Sequence, residues 1–381
     1  MKILCAGPTS INEKVLAKMS LSKTNPDLDP DFKDYYESVT KKYNQLINTR
    51  ATSFFMLGEA IISLEAAICS LMEKDERVLV IYNGFFGEGF ADYVESFGGK
   101  ALMYKDDFRR GINIHNLEEY LEKDHDFALA TLVHCETPSG ISNDIKKICT
   151  LLNKYGILSV VDSVSGVGGE YVDFDEFKVD VLLCGSQKCL SAPAGMGMVT
   201  LSERAKEKIE NRKSKIPSYY MNFANYYFND LAPFPYTMNE NLIYALEEAI
   251  DQALSKDFTS LHAKYAEITR QCLTNCGLEL YAKDSFSNTV TAVINPEGIE
   301  SESILARMRE RNIAISKGVG YNTEKIFRIG HMGNNIDYDD FVLLFKNLDE
   351  VFAELGVELT GSLEKNFINL YNEYKTKGGI Q

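Results

Sequence analysis

Leu158-Ser159-Val160-Val161-Asp162-Ser163 and Gly185-Ser186-Gln187-Lys188-Cys189-Leu190-Ser191-Ala192-Pro193, whose Lys188 lies 26 residues after Asp162, decide how this chain is read. The first stretch is an apolar run ending on an acid. The second follows another apolar run, residues 179–184, and opens a turn rich in small residues. Short, almost uninterrupted apolar runs bounded by Gly and Ser are what strands buried on both faces look like, as in a parallel sheet covered by helices. Ligands of such sheets gather beyond the carboxyl ends of the strands, so Asp162 and Lys188 are expected in one crevice. Taken singly, Asp162 reads equally well as a helix cap, and a lone lysine is ordinarily a solvated charge. Apolar surroundings lower the pKa of an amine, however, and suit it to imine chemistry.

Working outward, strands are predicted at 77–82, 101–104 and 127–133, alternating with helices near 87–97, 117–123 and 144–155. This is an α/β pattern with a mostly parallel central sheet. Beyond residue 256 the pattern becomes α+β, with helices at 261–275, 301–311 and 338–355 and strands at 278–281, 289–294 and 326–330. We therefore expect a large domain over 1–255 and a smaller one over 256–381, joined by a helix at 239–254. No repeat or low-complexity stretch interrupts them.

Forty Lys+Arg against 55 Asp+Glu give a net charge of −15, with no basic run, which argues against nucleic acid or anionic membrane as partners. No apolar run approaches the roughly 20 residues needed to span a bilayer, and the expected compartment is the cytoplasm. Eight dispersed cysteines read as reduced, mostly buried thiols. Neither they nor the five scattered histidines form a metal set. Gly166, Gly168 and Gly169 do not make a dinucleotide loop.

Asp and Lys at adjacent strand ends are the pair that pyridoxal phosphate requires, an acid for the pyridinium nitrogen and an amine for the aldehyde. Val161-Asp162-Ser163 followed by Gly185-Ser186-Gln187-Lys188 resembles the class-V aminotransferases of fold type I, and within them the alanine/serine–glyoxylate (pyruvate) aminotransferases. Further motifs extend the resemblance over nearly the whole chain. Ala6-Gly7-Pro8-Thr9 is similar to the family's opening, which implies Pro8 at the substrate entrance. Asn83-Gly84-Phe85-Phe86-Gly87 implies that Phe86 stacks on the pyridine. His134-Cys135-Glu136-Thr137-Pro138-Ser139-Gly140 implies a cofactor contact from Thr137, and Arg328-Ile329-Gly330 implies that Arg328 grips the substrate carboxylate. Lys188 would hold the cofactor as a Schiff base and carry protons.

Two motifs depart from the family. The phosphate cup falls on Gly58, Glu59, Ala60 and Ile61, with Gln187 beside it, and Glu59 puts a carboxylate where a dianion is expected. The segment Phe234-Pro235-Tyr236-Thr237 resembles one that reaches the partner subunit's cofactor, so the resemblance implies a homodimer with Thr237 crossing over. Phe234, however, lacks the family's tyrosine hydroxyl, for which Tyr236 is a candidate substitute. The resulting expectation is an aminotransferase moving an amino group from alanine or serine to glyoxylate or pyruvate. Alternatives are a 2-aminoethylphosphonate–pyruvate aminotransferase, a pyridoxal-phosphate lyase or desulfurase, and a non-catalytic cofactor-binding subunit.

Overall fold

The computed structural model describes residues 1–227 and 233–376. Seven strands form the main sheet in the spatial order Thr52–Leu57, Met196–Leu201, Val181–Gly185, Leu158–Asp162, Leu129–Val133, Arg77–Tyr82 and Lys100–Lys105. From Val181–Gly185 to Lys100–Lys105 the strands are parallel, whereas Met196–Leu201 is antiparallel to both of its neighbours. Adjacent residues of one strand feed opposite cores, as the two-residue period of a strand requires. Leu79, Val161 and Leu182 belong to one core and Val80, Val160 and Leu183 to the other. Helices Ile61–Leu71, Phe85–Ser96, Ile114–Lys123 and Ile145–Lys154 flank these strands in the chain.

A second sheet places Ile326–Gly330 between Val290–Ile294 and Ser316–Lys317, all antiparallel. Phe327 and Ile329 pack under it with Phe341, Phe345 and Phe352 from the helix Tyr338–Glu354. The chain's beginning joins this part of the molecule. Leu4 lies in the same core, and Lys2–Ile3 pairs with Ile313–Ala314. Gly330 permits the approach, since its N–H donates to Leu4 O at 2.8 Å and a Cβ there would stand 1.8 Å from Cys5 O.

The expected strands and helices appear within a few residues of their predicted bounds, with one exception. Residues 278–281 form only an isolated bridge, Leu280 to Val293. Sequence reasoning missed the helices Pro30–Leu46 and Leu363–Thr376 and the strands Thr52–Leu57 and Met196–Leu201. Among the described residues, no helix is long and apolar enough to cross a membrane.

Candidate active site

Asp162 ends its strand 6% exposed, and its Oδ1 accepts the Val164 N–H at 2.9 Å. Burial pushes this carboxyl up to about 6, against the pull of the Val164 N–H and of Lys188. Below it, His134 Nδ1 lies 2.9 Å from Ser163 Oγ, and burial drops the His134 pKa to about 4, so the ring is neutral.

Lys188 sits in the hairpin that turns the chain from Val181–Gly185 into the antiparallel strand Met196–Leu201. The turn closes through Ser191 N–H to Lys188 O at 2.9 Å and Ser186 Oγ to Pro193 O at 2.6 Å. The chain's first residues lie across the lysine: Nζ donates to Ala6 O at 3.0 Å, and Thr9 Oγ1 donates to Lys188 O at 3.0 Å. Gly7, at φ +89°, has no room for a side chain, because a Cβ would stand 2.5 Å from Lys188 Cδ and 2.7 Å from Nζ. Pro8, next to it, is exposed. Burial lowers the Lys188 pKa and Arg328 lowers it further, with Glu59 and Asp162 acting in the opposite sense. The three other predicted charged residues, Arg328, Glu59 and Asp162, thus act on this one amine.

Arg328 occupies the central strand of the small sheet, between Ala292 and Ser316. It is 7% exposed, and its guanidinium donates to Lys317 O at 2.8 Å and to Thr137 O at 3.0 Å. Both acceptors are neutral carbonyls. Burial pulls its pKa down to about 10, opposed only by Cys5. Phe86, the second residue of the helix Phe85–Ser96, is 38% exposed.

The turn 58–61 leads into the helix Ile61–Leu71 as expected, but Glu59 does not point away. Its Oε2 accepts the Ile61 N–H at 2.9 Å, and its Oε1 accepts a close hydrogen bond from Gln187 Nε2. The donors that would hold an anion at this helix start are therefore engaged by the chain's own carboxylate. Gln187 Oε1 is buried without a partner. Ala60 packs closely on the hairpin, where a Cβ at Gly185 would stand 2.7 Å from the Ala60 Cβ.

Phe234 is a core ring, edge-on to Phe32 and Tyr36. The Tyr236 hydroxyl accepts from Leu57 N–H at 2.8 Å and from Tyr226 OH at 2.9 Å, so it is held within its own chain. Thr237 is exposed and donates to Asp27 Oδ2 at 2.7 Å. Sequence reasoning overlooked the Ala6–Thr9 clamp on Lys188, although the glycine at 7 was the available signal.

The donor set suits a pyridine aldehyde: a buried acid at Asp162, a buried amine at Lys188, and at Arg328 a guanidinium with carbonyl rather than acidic hydrogen-bond partners. At the helix start the Glu59 carboxylate holds the Ile61 and Gln187 donors that a phosphate would need.

Comparison with known proteins agrees with this chemistry. The profile of the aminotransferase class-V family matches residues 5–330. A pyridoxamine–pyruvate transaminase of Mesorhizobium japonicum is 30% identical over 341 residues, covering 87% of this chain and 86% of that protein. A serine–glyoxylate aminotransferase of Methylorubrum extorquens is 30% identical over 345 residues, covering 86% and 85%. The crystal structure of ureidoglycine–glyoxylate aminotransferase from Bacillus subtilis superposes with a TM-score of 0.92 at 25% identity, over 97% of this chain and 98% of that one. With fold, site chemistry and relatives in agreement, the chain belongs to the class-V aminotransferase family of fold type I and is a pyridoxal-phosphate-dependent transaminase.

Proposed function

We propose that the enzyme moves an amino group from a small amino acid, alanine or serine, to a small 2-keto acid, glyoxylate or pyruvate. Arg328 carries this reading. It is a buried guanidinium with only carbonyl partners, beside the amine at Lys188, and so offers one seat for one carboxylate. Of the arginines considered for a second seat, Arg109 and Arg110 are paired with Glu279 and Asp284, and Arg50 is exposed. A dicarboxylic donor would bury an unpaired charge, at a cost of several kcal/mol. The serine–glyoxylate and ureidoglycine–glyoxylate relatives lend support from outside.

When bound, pyridoxal phosphate supplies an aldehyde that condenses with amines and a pyridinium ring that draws electrons from the amine-bearing carbon. Asp162 holds the proton on the pyridine nitrogen. Phe86 and Thr137 confine the ring, and Gln187 with the helix start at Gly58, Glu59, Ala60 and Ile61 faces the phosphate. Arg328 takes the substrate carboxylate through paired hydrogen bonds, with Pro8 at the entrance. Lys188 Nζ, whose pKa burial lowers, removes the proton from the substrate α-carbon and returns one to complete the exchange.

Loss of the visible cofactor band on adding alanine, and its return with glyoxylate, tests this reading. Aspartate or glutamate ahead of alanine by tenfold in kcat/KM overturns the single-seat argument, and 2-aminoethylphosphonate ahead of both moves the assignment to that donor.

Glu59 favours a second reading. Pyridoxamine, the amino donor in the name of one relative, carries no phosphate. A carboxylate in the cup accepts a hydrogen bond from its neutral 5′-hydroxymethyl group and repels a dianion. In that case the vitamer beside Lys188 is itself the substrate.

The wider proposal is a homodimer in which the exposed Thr237 reaches the partner subunit's cofactor, with large and small units at 1–255 and 256–381. A monomeric species of full activity in sedimentation would refute the dimer. Eight free cysteines, seven of them buried, support a reducing compartment such as the cytoplasm.

A further inference from the structure

Helix Phe85–Ser96 starts at Gly84, which has no side chain to cap it. Its first N–H groups lack helical acceptors. They find one far away in sequence: Glu136 Oε1 accepts the Gly87 N–H at 2.6 Å, and Oε2 accepts the Phe86 N–H at 3.3 Å. Glu136 is completely buried. Burial pushes its carboxyl up to about 7, against those two N–H groups, and the facing acids Asp162 and Glu88 push the same way as burial.

Two glycines of the Asn83–Gly87 motif make room for this carboxylate. Gly84 has φ −171°, extended backbone that any residue adopts, yet a Cβ there would stand 2.4 Å from Glu136 Cδ. At Gly87 a Cβ would stand 3.2 Å from Glu136 Oε1 and 2.9 Å from Tyr82 Cβ. The backbone of Glu136 faces the other way. Its carbonyl accepts from Gly140 N–H at 2.9 Å and Ser139 Oγ at 3.2 Å, shaping the turn whose Thr137 O takes the Arg328 guanidinium at 3.0 Å.

We propose that Glu136 is a positioning residue: it ties the helix that presents the Phe86 ring to the turn that orients Arg328, and so sets the spacing between ring and guanidinium. This rests on the roles proposed above for those two residues. It needs no contact between Glu136 and substrate.

Glu136→Gln keeps the shape but presents an amide donor to one of the two N–H groups, and Gly84→Ala pushes the carboxylate aside without removing it. In cofactor-loaded enzyme, both are expected to change the visible circular dichroism of the bound cofactor and to raise KM for alanine about tenfold, with a smaller change in kcat. Melting of each cofactor-free variant is measured at pH 8, and a variant that stays folded at the assay temperature yet shifts KM and ellipticity separates positioning from mere loss of structure. If Glu136→Gln does not fold, Gly84→Ala carries the test. Wild-type ellipticity and KM in the folded variants overturn the proposal. Phe86→Leu is measured alongside. If it alters the ellipticity while the Glu136 and Gly84 variants do not, the proposal falls and the ring's role stands; if none of them does, both fall.

Discussion

Replacing Glu59 with glycine removes the carboxylate that takes the Ile61 N–H and the Gln187 amide. In the wild type a phosphate entering the cup has two options. It can displace the carboxylate, which then gives up two hydrogen bonds worth roughly 1.5–3 kcal/mol each, part of which water returns. Or it can settle beside the carboxylate. At about 4 Å and an effective dielectric near 20, each pair of like unit charges costs about 4 kcal/mol. A dianion carries nearly two such charges, so displacement is the cheaper route, and roughly 2–4 kcal/mol stands against the phosphate, or about 30-fold to 10³-fold in Kd. Pyridoxal, with a neutral hydroxymethyl group, meets no such penalty and can donate to Glu59. Glu59→Gly should therefore tighten pyridoxal phosphate by at least about tenfold and leave pyridoxal unchanged or weaker. The assay is absorbance titration of dialysed protein with each vitamer, with thermal melts to check folding. A folded Glu59→Gly variant that binds pyridoxal phosphate no better than the wild type refutes the reasoning. The wild-type titration also separates the two functional readings, because pyridoxal bound more tightly than its phosphate favours pyridoxamine as donor.

Borohydride reduction followed by peptide mapping should place the pyridoxyl group on Lys188, and Lys188→Ala should carry none; label on another lysine would remove Lys188 from its role. Asp162→Asn should keep part of its cofactor but lose about 10²-fold or more in turnover, since an amide does not hold the ring proton, and near-normal turnover would contradict this. The contribution of Asp162 and Glu136 to the stability of the cofactor-free protein should fall as pH rises from about 4 to about 7, opposite to that of the buried neutral rings of His134, His262 and His331, which rises over the same range. The Asp162 and Glu136 carboxyls are raised to about 6 and about 7 in the folded chain, so their stabilising protons are held at low pH and lost through that window. Each shift corresponds to about 3 kcal/mol at most, and Glu136→Gln should flatten the upper part of the curve in pH-dependent denaturant melts.

Much of the site was legible because strands buried on both faces announce themselves as apolar runs, and the residue at the end of such a run faces the crevice. Asp162 and Lys188 could be expected in one crevice for that reason, while their cofactor roles came from the resemblance. Arg328 needed the resemblance, since an arginine alternating with apolar neighbours reads equally as a structural ion pair; its lack of an acidic partner is a tertiary fact. Strand Thr52–Leu57 and its neighbour Met196–Leu201 escaped notice because their pairing, Met196 with Leu57 through Leu201 with Thr52, joins segments far apart in the chain. The clamp of Ala6 and Thr9 on Lys188 was hidden in the same way: nothing local says that the first residues fold back 182 and 179 positions onto the hairpin. The sequence by itself determined the strand ends, the chemistry available there and the family. Whether Glu59 turned in or out, what Gly84 makes room for and where Thr237 points depended on which buried donors and atoms long-range packing brought together, and only the tertiary structure decided them.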